Sequence, residues 1–257
     1  MPTKKERELI TRCNDYLDNL REAFRYLVAR SIVREKCSGM HANCSDLLGQ
    51  FSAAKGIKGD WEVSINRWNI PVIDPTVCGV PGKTELLIQG IILTENLLLQ
   101  RQCITASVLL EPNRDIQIGD GYDSPFLRQG EWYVVRRFHF DYDIRTDNDD
   151  HPRSHLQYGG NFHKDPEHSQ IRYELFEKPK APRIPYPPYD VVLCTDLFLR
   201  QFNTPISEIV DDSGWTGIVR KSEKLWVGNY YKELASYIGQ TDSVVLHKRQ
   251  QKYVDWL

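Results

Sequence analysis

Val134-Val-Arg-Arg-Phe-His-Phe-Asp-Tyr-Asp143 alternates aromatic and polar side chains over its second half. Phe138, Phe140 and Tyr142 fall on one side of an extended chain, and Arg137, His139, Asp141 and Asp143 on the other. A period of two identifies a strand whose aromatic face enters the core and whose opposite face carries His139 and Asp141. Working outward, segments 61–68, 84–94, 97–110 and 131–143 are all rich in Val, Ile, Leu, Thr and aromatic residues. Turn signals at Thr94-Glu95-Asn96, Pro112-Asn113 and Gly119-Asp120-Gly121 separate them. Together they predict a mainly antiparallel sheet. The run Leu86 to Leu99 also admits a buried helix, because periodicity alone does not separate short apolar runs.

Helices flank the sheet on both sides in sequence. From Lys4 to about Ala29, the apolar positions Leu9, Cys13, Tyr16, Leu20, Ala23 and Leu27 recur at alternating steps of four and three, without Pro or Gly. Such a stripe packs on its own domain or, alternatively, on a second copy, which leaves a homodimer open. Its other face mixes Lys4, Arg7 and Arg12 with Glu6 and Glu8 and reads as solvated. A shorter helix from Ser45 to about Ala54 ends at Gly56 and Gly59. Five prolines between Lys178 and Pro188 impose an extended connector. Asp190 to Phe202 then reads as a core helix and Ser222 to Tyr237 as the last helix. The expectation is one α+β domain over 1–257: N-terminal helices (1–58), a central mainly antiparallel sheet (59–177), a Pro-rich connector (178–189) and C-terminal helices (190–257).

Composition bounds the function. With 33 basic and 35 acidic residues, the chain lacks the overall positive charge of a protein that binds nucleic acid by phosphate neutralisation alone. It has no run of about 18 apolar residues and no apolar leader segment, so a cytoplasmic protein that does not enter membranes is expected. The six cysteines show no repeated spacing and read as reduced thiols. Gly82-Lys83-Thr84 ends like a phosphate-binding loop, but Val77 stands where its first glycine is required. Cys37, His41 and Cys44 offer soft zinc ligands without an evident fourth, and buried structural cysteines explain them equally well.

Chemistry concentrates elsewhere. Five of the seven histidines (His139, His151, His155, His163, His168) lie within thirty consecutive residues, alongside seven acidic and three basic ones. Histidine and aspartate crowded together can serve as an acid/base site or a metal site. If residues 153 to 158 return as the partner strand, a register pairing His139 with His155 and Asp141 with Arg153 satisfies both faces, although a slip by two keeps the faces and changes the partners. The competing local reading is a short helix opened by Pro152 and closed by Gly159-Gly160. Two imidazoles beside a guanidinium suit phosphodiester cleavage: one takes the attacking hydroxyl's proton, the other protonates the leaving oxygen, and the cation stabilises the phosphorane. The acidic stretch Asp147 to Asp150 leaves a divalent metal open as cofactor. Ser154 is discounted as a nucleophile because it points away from His155. The candidate site is therefore His139, His155, Asp141, Arg153 and His151.

The segments Phe138–Asp143, His151-Pro-Arg-Ser-His-Leu-Gln-Tyr-Gly-Gly160 and Pro182–Pro185 resemble an uncharacterised bacterial family, the His-Pro-x-Ser-His-Leu run with its double glycine being the specific part. The resemblance spans roughly residues 136 to 203. More loosely, the pairing of an aromatic-aspartate strand with a proline-flanked histidine run is similar to components of toxin-antitoxin and phage-defence loci. Gln157 departs from that pattern, where a further histidine would stand. The resemblance implies a bacterial defence or toxin setting. The expectation is a nuclease acting on RNA or DNA, a His-dependent ribonuclease or phosphodiesterase. The alternative is a non-catalytic subunit that binds a protein partner from a neighbouring gene through Arg183–Tyr189 and the terminal helices.

Overall fold

Four long strands carry the architecture: β1 (Trp61–Val72), β2 (Gly82–Glu95), β3 (Leu98–Pro112) and β6 (Trp132–Asp143). In this computed structural model the described residues are 3–32, 38–55, 60–73, 79–95, 98–118, 126–143, 154–159, 171–172 and 183–238. With β7 (Ser154–Tyr158) and β9 (Arg183–Pro185) the strands form an antiparallel sheet in the order β1-β2-β3-β6-β7-β9. The short β8 (Ile171–Arg172) adds parallel to the start of β6, while β4 (Ile116–Gln117) and β5 (Phe126–Leu127) pair separately. The fold is α+β, with helices before and after the sheet. The described residues of the Leu86–Leu99 run are strand: Leu86–Glu95 belong to β2, which pairs with β1 on one side and β3 on the other, and Leu98 and Leu99 to β3.

Helix α1 (Lys4–Ile32) buries Cys13, Tyr16, Leu20, Ala23 and Leu27, the stripe expected from spacing, together with Leu17 and Phe24. This stripe faces the chain's own core. Phe24 touches Phe51 of α2 (Ser38–Lys55) at 5.3 Å between ring centroids and Trp68 of β1 at 5.0 Å. Helix α2 begins at Ser38, ahead of the expected Ser45. Two glycines and no acidic first turn weaken its local signal, and burial of Cys44, Leu47, Phe51 and Ala54 supplies what propensity lacks.

Strand β1 runs past the expected end at Trp68. A bulge between Ile65 and Trp68 shifts the alternation, so that Trp61, Val63 and Ile65 on one side of it and Trp68, Ile70 and Val72 on the other all reach the same core. Pro71 is tolerated because β1 is an edge strand, where one row of N–H groups has no ladder partner. Gly82 and Gly90 allow close approach of β3: a Cβ on Gly90 would lie 2.4 Å from the Cys103 carbonyl oxygen. Backbone cannot yield there cheaply, so Gly90→Ala is expected to lower unfolding free energy by about 1–3 kcal/mol in a denaturant titration. A midpoint equal to the parent's would refute it. Gly82 likewise sits against the Glu111 carbonyl, and Lys83 pairs with Glu111 at 3.0 Å, which gives the Gly-Lys-Thr triplet a role inside a strand.

The C-terminal part departs from the sequence reading. A 3₁₀ turn (Ser207–Asp211) leads into α4 (Ser213–Leu225), and α5 (Val227–Ile238) follows after a break at Trp226. Asp212 caps α4 by accepting from the Gly214 N–H at 2.8 Å. Gly214 and Gly217 had masked this start, and Trp226 interrupts the helix because its indole is committed to the core. Helix α3 (Val191–Gln201) starts as expected, with Asp190 as its cap.

Asp190 ties these pieces together. It is fully buried; Oδ1 accepts from the Leu193 N–H (2.8 Å) and Oδ2 from Ser222 Oγ (2.7 Å) and Trp226 Nε1 (3.1 Å). Asn19 of α1 donates in turn to Ser222 at 2.8 Å. Trp226 packs edge-on against Tyr16, whose hydroxyl donates to Gln102 of β3, and Gln102 donates to the Tyr189 carbonyl at 2.9 Å. One carboxylate thus joins α1, α3 and α4 above the sheet. No helix among the described residues is long and apolar enough to cross a membrane.

Candidate functional site

The two faces of β6 separate as expected. Phe140 and Tyr142 enter the main core with Phe138 packed against it, and Arg137, His139 and Asp141 lie on the other face. That polar face is largely closed to solvent: Arg137 is 4% exposed and His139 8%. Neighbouring strands continue it, since Ser107, Thr105 and Cys103 of β3 stand opposite Arg137, His139 and Asp141. Ser107 and Thr105 are buried too.

Residues 154–158 are a strand, as one of the two local readings had it. The register corrects the expected pairing: Asp141 stands opposite His155 and His139 opposite Gln157, with Phe138 opposite Tyr158. The slip is by two residues, which leaves each side chain on the same face and so escapes a pattern argument. What distinguishes the observed register is the cross-strand pair Phe138–Tyr158, edge-on at 5.4 Å, and the Gly159 N–H donating to the Arg137 carbonyl at 2.9 Å. Gly159 holds φ +81, a left-handed conformation suited to glycine that ends the strand. Ser154 turns to the other face, as expected, and donates to the Tyr186 carbonyl at 2.8 Å.

The register brings His155 against Asp141, with Nε2 3.5 Å from Oδ2. His155 is 3% exposed. His139 is the diagonal neighbour of His155 across the two strands. Burial above all, then the charge of Arg137, lowers the His139 pKa to about 4, against the opposing pull of Asp141 and the Gly159 backbone. The ring is therefore neutral at neutral pH, and its Nε2 is buried without a hydrogen-bond partner among the described residues. Asp141 Oδ1 is in the same condition. Burial, then the Asp141 carboxylate, pushes the Cys103 thiol far up, so it stays protonated beside Asp141 and is no nucleophile.

Of the five residues expected at the site, His139, Asp141 and His155 converge. His151 and Arg153 lie outside the described residues, as do His163, His168 and Cys37. Sequence reasoning placed Arg137 on this face and took Arg153, which lies outside the described residues, as the cation. It passed over Cys103, for which alternation on β3, read against β6, was the available signal, and it named Gln157 only as a departure from the histidine pattern. Cys44, one of the zinc candidates, is wholly in the core. Among the described residues no three His, Cys, Asp or Glu side chains group as metal ligands.

A second feature adjoins the site on the opposite side of β6. Phe138, Phe140 and Leu156 meet Tyr186, Leu197, Phe198 and Phe202 around a groove of about 220 Å³. Its lining is almost wholly apolar and it opens to the surface. No family model matches the chain, and neither the curated proteins nor the solved structures contain a match to it.

Proposed function

We propose that the polar face of β6 and β7 is the working site of a cytoplasmic bacterial protein of defence or toxin type that cleaves nucleic-acid phosphodiester bonds. The observation that carries this reading is the convergence of two imidazoles, a carboxylate and a guanidinium on one buried face. Desolvating such groups is costly, and perturbed titratable groups cluster at functional sites. His139, neutral and with Nε2 unengaged, is suited to take a proton. His155 lies with Nε2 3.5 Å from the Asp141 carboxylate, which holds the ring in place on that face. Arg137 supplies positive charge for the phosphorane. The defence or toxin setting is supported by the resemblance of the His151–Gly160 run. Cleavage of RNA and DNA and growth on expression, compared for the parent, His139→Ala and His155→Ala with and without chelator, test the proposal. Cleavage lost in both variants supports it; a parent that cleaves neither polymer, or variants as active as the parent, removes it.

Two observations favour a second reading, a non-catalytic subunit that binds a protein partner. Both rings are nearly closed off, at 8% and 3% exposure, so substrate reaches them only through local opening of that face. The apolar groove beside α3 is already open. On this reading Leu197→Asp abolishes co-purification with a neighbouring gene product, whereas His139→Ala does not; the reverse pattern rejects it.

A further inference from the structure

The open groove on the other side of β6 has a geometry that limits what fits it. Five of its lining residues are aromatic: Phe138, Phe140, Tyr186, Phe198 and Phe202. Their rings stand in several planes. Phe138 and Phe198 are inclined at 49° with centroids 5.8 Å apart, Phe140 and Phe198 at 80° and 6.1 Å, and Phe140 and Tyr186 at 64° and 6.1 Å. Phe198 and Phe202 are nearly parallel, but at 6.2 Å they are already in mutual contact and leave no slot for a flat ring between them. Walls set at such angles suit a rounded group. At about 220 Å³ the space is smaller than the roughly 300–1,000 Å³ of drug-sized pockets, so the group is small.

The lining also sets the sign of the charge. Among the described residues no charged side chain lines the groove, and its polar groups are the Tyr186 hydroxyl and the Gln201 amide. Aromatic faces carry negative potential and attract cations. Leu197, Phe198, Gln201 and Phe202 bring in the last turn and cap of α3, the negative end of the helix dipole. Both features oppose an anion. A metal ion or a primary ammonium would lose its water against apolar walls with no carboxylate to replace it, whereas a fully alkylated nitrogen holds water weakly. We infer that the groove binds a free, small quaternary ammonium of choline type, its methyl groups against the aromatic rings. Gln201, exposed at the rim, meets the polar tail of such a molecule. This does not rest on the cleavage reading, and it differs from the subunit reading in taking a small molecule as occupant.

The test titrates the full chain by calorimetry with choline, with its neutral isostere carrying a tert-butyl group in place of trimethylammonium, and with ammonium chloride. Expected are saturable binding of choline, binding of the isostere weaker by at least about tenfold, and none of ammonium. Phe202→Leu and Phe138→Leu each keep apolar bulk and remove one ring. Whichever of them retains the parent's denaturant midpoint should bind choline at least about threefold more weakly. Equal binding of the isostere would show a merely apolar groove and overturn the inference, as would no binding of choline or undiminished binding in the folded variants. Phosphatidylcholine vesicles and a trimethyllysine peptide are offered in the same way; tighter binding of either than of choline would move the occupant to a lipid or a protein and overturn it too.

Discussion

His139→Gln is expected to cleave RNA about 10²- to 10⁴-fold more slowly than the parent, the range that a positioned proton acceptor contributes. Glutamine is close in size to histidine and can keep a hydrogen bond to the Gly159 backbone, so circular dichroism should show the parent's fold. It cannot accept and release a proton. The parent's pH profile gives an independent readout: a base whose pKa is held at about 4 by burial and by Arg137 predicts an acid limb of kcat/KM near pH 4, well below the ordinary imidazole range. An acid limb near 6.5 would show that His139 is not the group being titrated. Asp141→Asn is expected to act through His155, lowering kcat more than it raises KM, because the carboxylate 3.5 Å from the His155 ring is replaced by a neutral amide.

Asp190→Ala is expected to cost about 3–7 kcal/mol in unfolding free energy, measured as a shift in denaturant midpoint. Loss of a helix cap costs about 1 kcal/mol. Leaving the Ser222 hydroxyl and the Trp226 indole N–H without their acceptor adds about 1–3 kcal/mol for each buried group. Asp190→Asn should cost less: its oxygen can keep the Leu193 cap, but its NH₂ then meets the Trp226 N–H donor to donor. A loss below about 1 kcal/mol in Asp190→Ala would mean that the joint between α1, α3 and α4 rests on apolar packing alone.

The two buried groups tilt stability against pH in opposite directions. Burial raises the Asp190 pKa to about 6, so between the unfolded value of 3.8 and 6 the folded chain holds a proton that the unfolded chain has released. Its contribution is lost as pH rises through that window. His139 is the reverse case: the unfolded ring binds its proton near 6.5 and the folded ring only near 4, so its contribution is lost as pH falls from 6.5. Each slope is at most about 1.4 kcal/mol per pH unit. In the parent the two largely cancel between about pH 4 and 6. His139→Gln should become less stable with rising pH in that range and Asp190→Asn more stable. Parallel curves for the two variants would contradict the assignment.

Alternation of Phe138, Phe140 and Tyr142 with polar residues was sufficient to identify β6 and its two faces, because a side-chain period of two leaves no other extended arrangement. The α1 stripe was legible for the analogous helical reason. Helix α4 was not, since Gly214 and Gly217 dilute the local signal, and its start depends on an Asp212 cap supported by a neighbouring turn.

By itself the sequence determined the fold class, the amphipathic first helix, and β6 with the face on which His139 and Asp141 lie. Those are consequences of local periodicity, which each residue carries with it. Only the tertiary structure decided that Asp141 meets His155, that the polar face is buried, and that Asp190 anchors three helices. A two-residue slip preserves every face, and burial or a shared hydrogen bond exists only once distant segments have packed together.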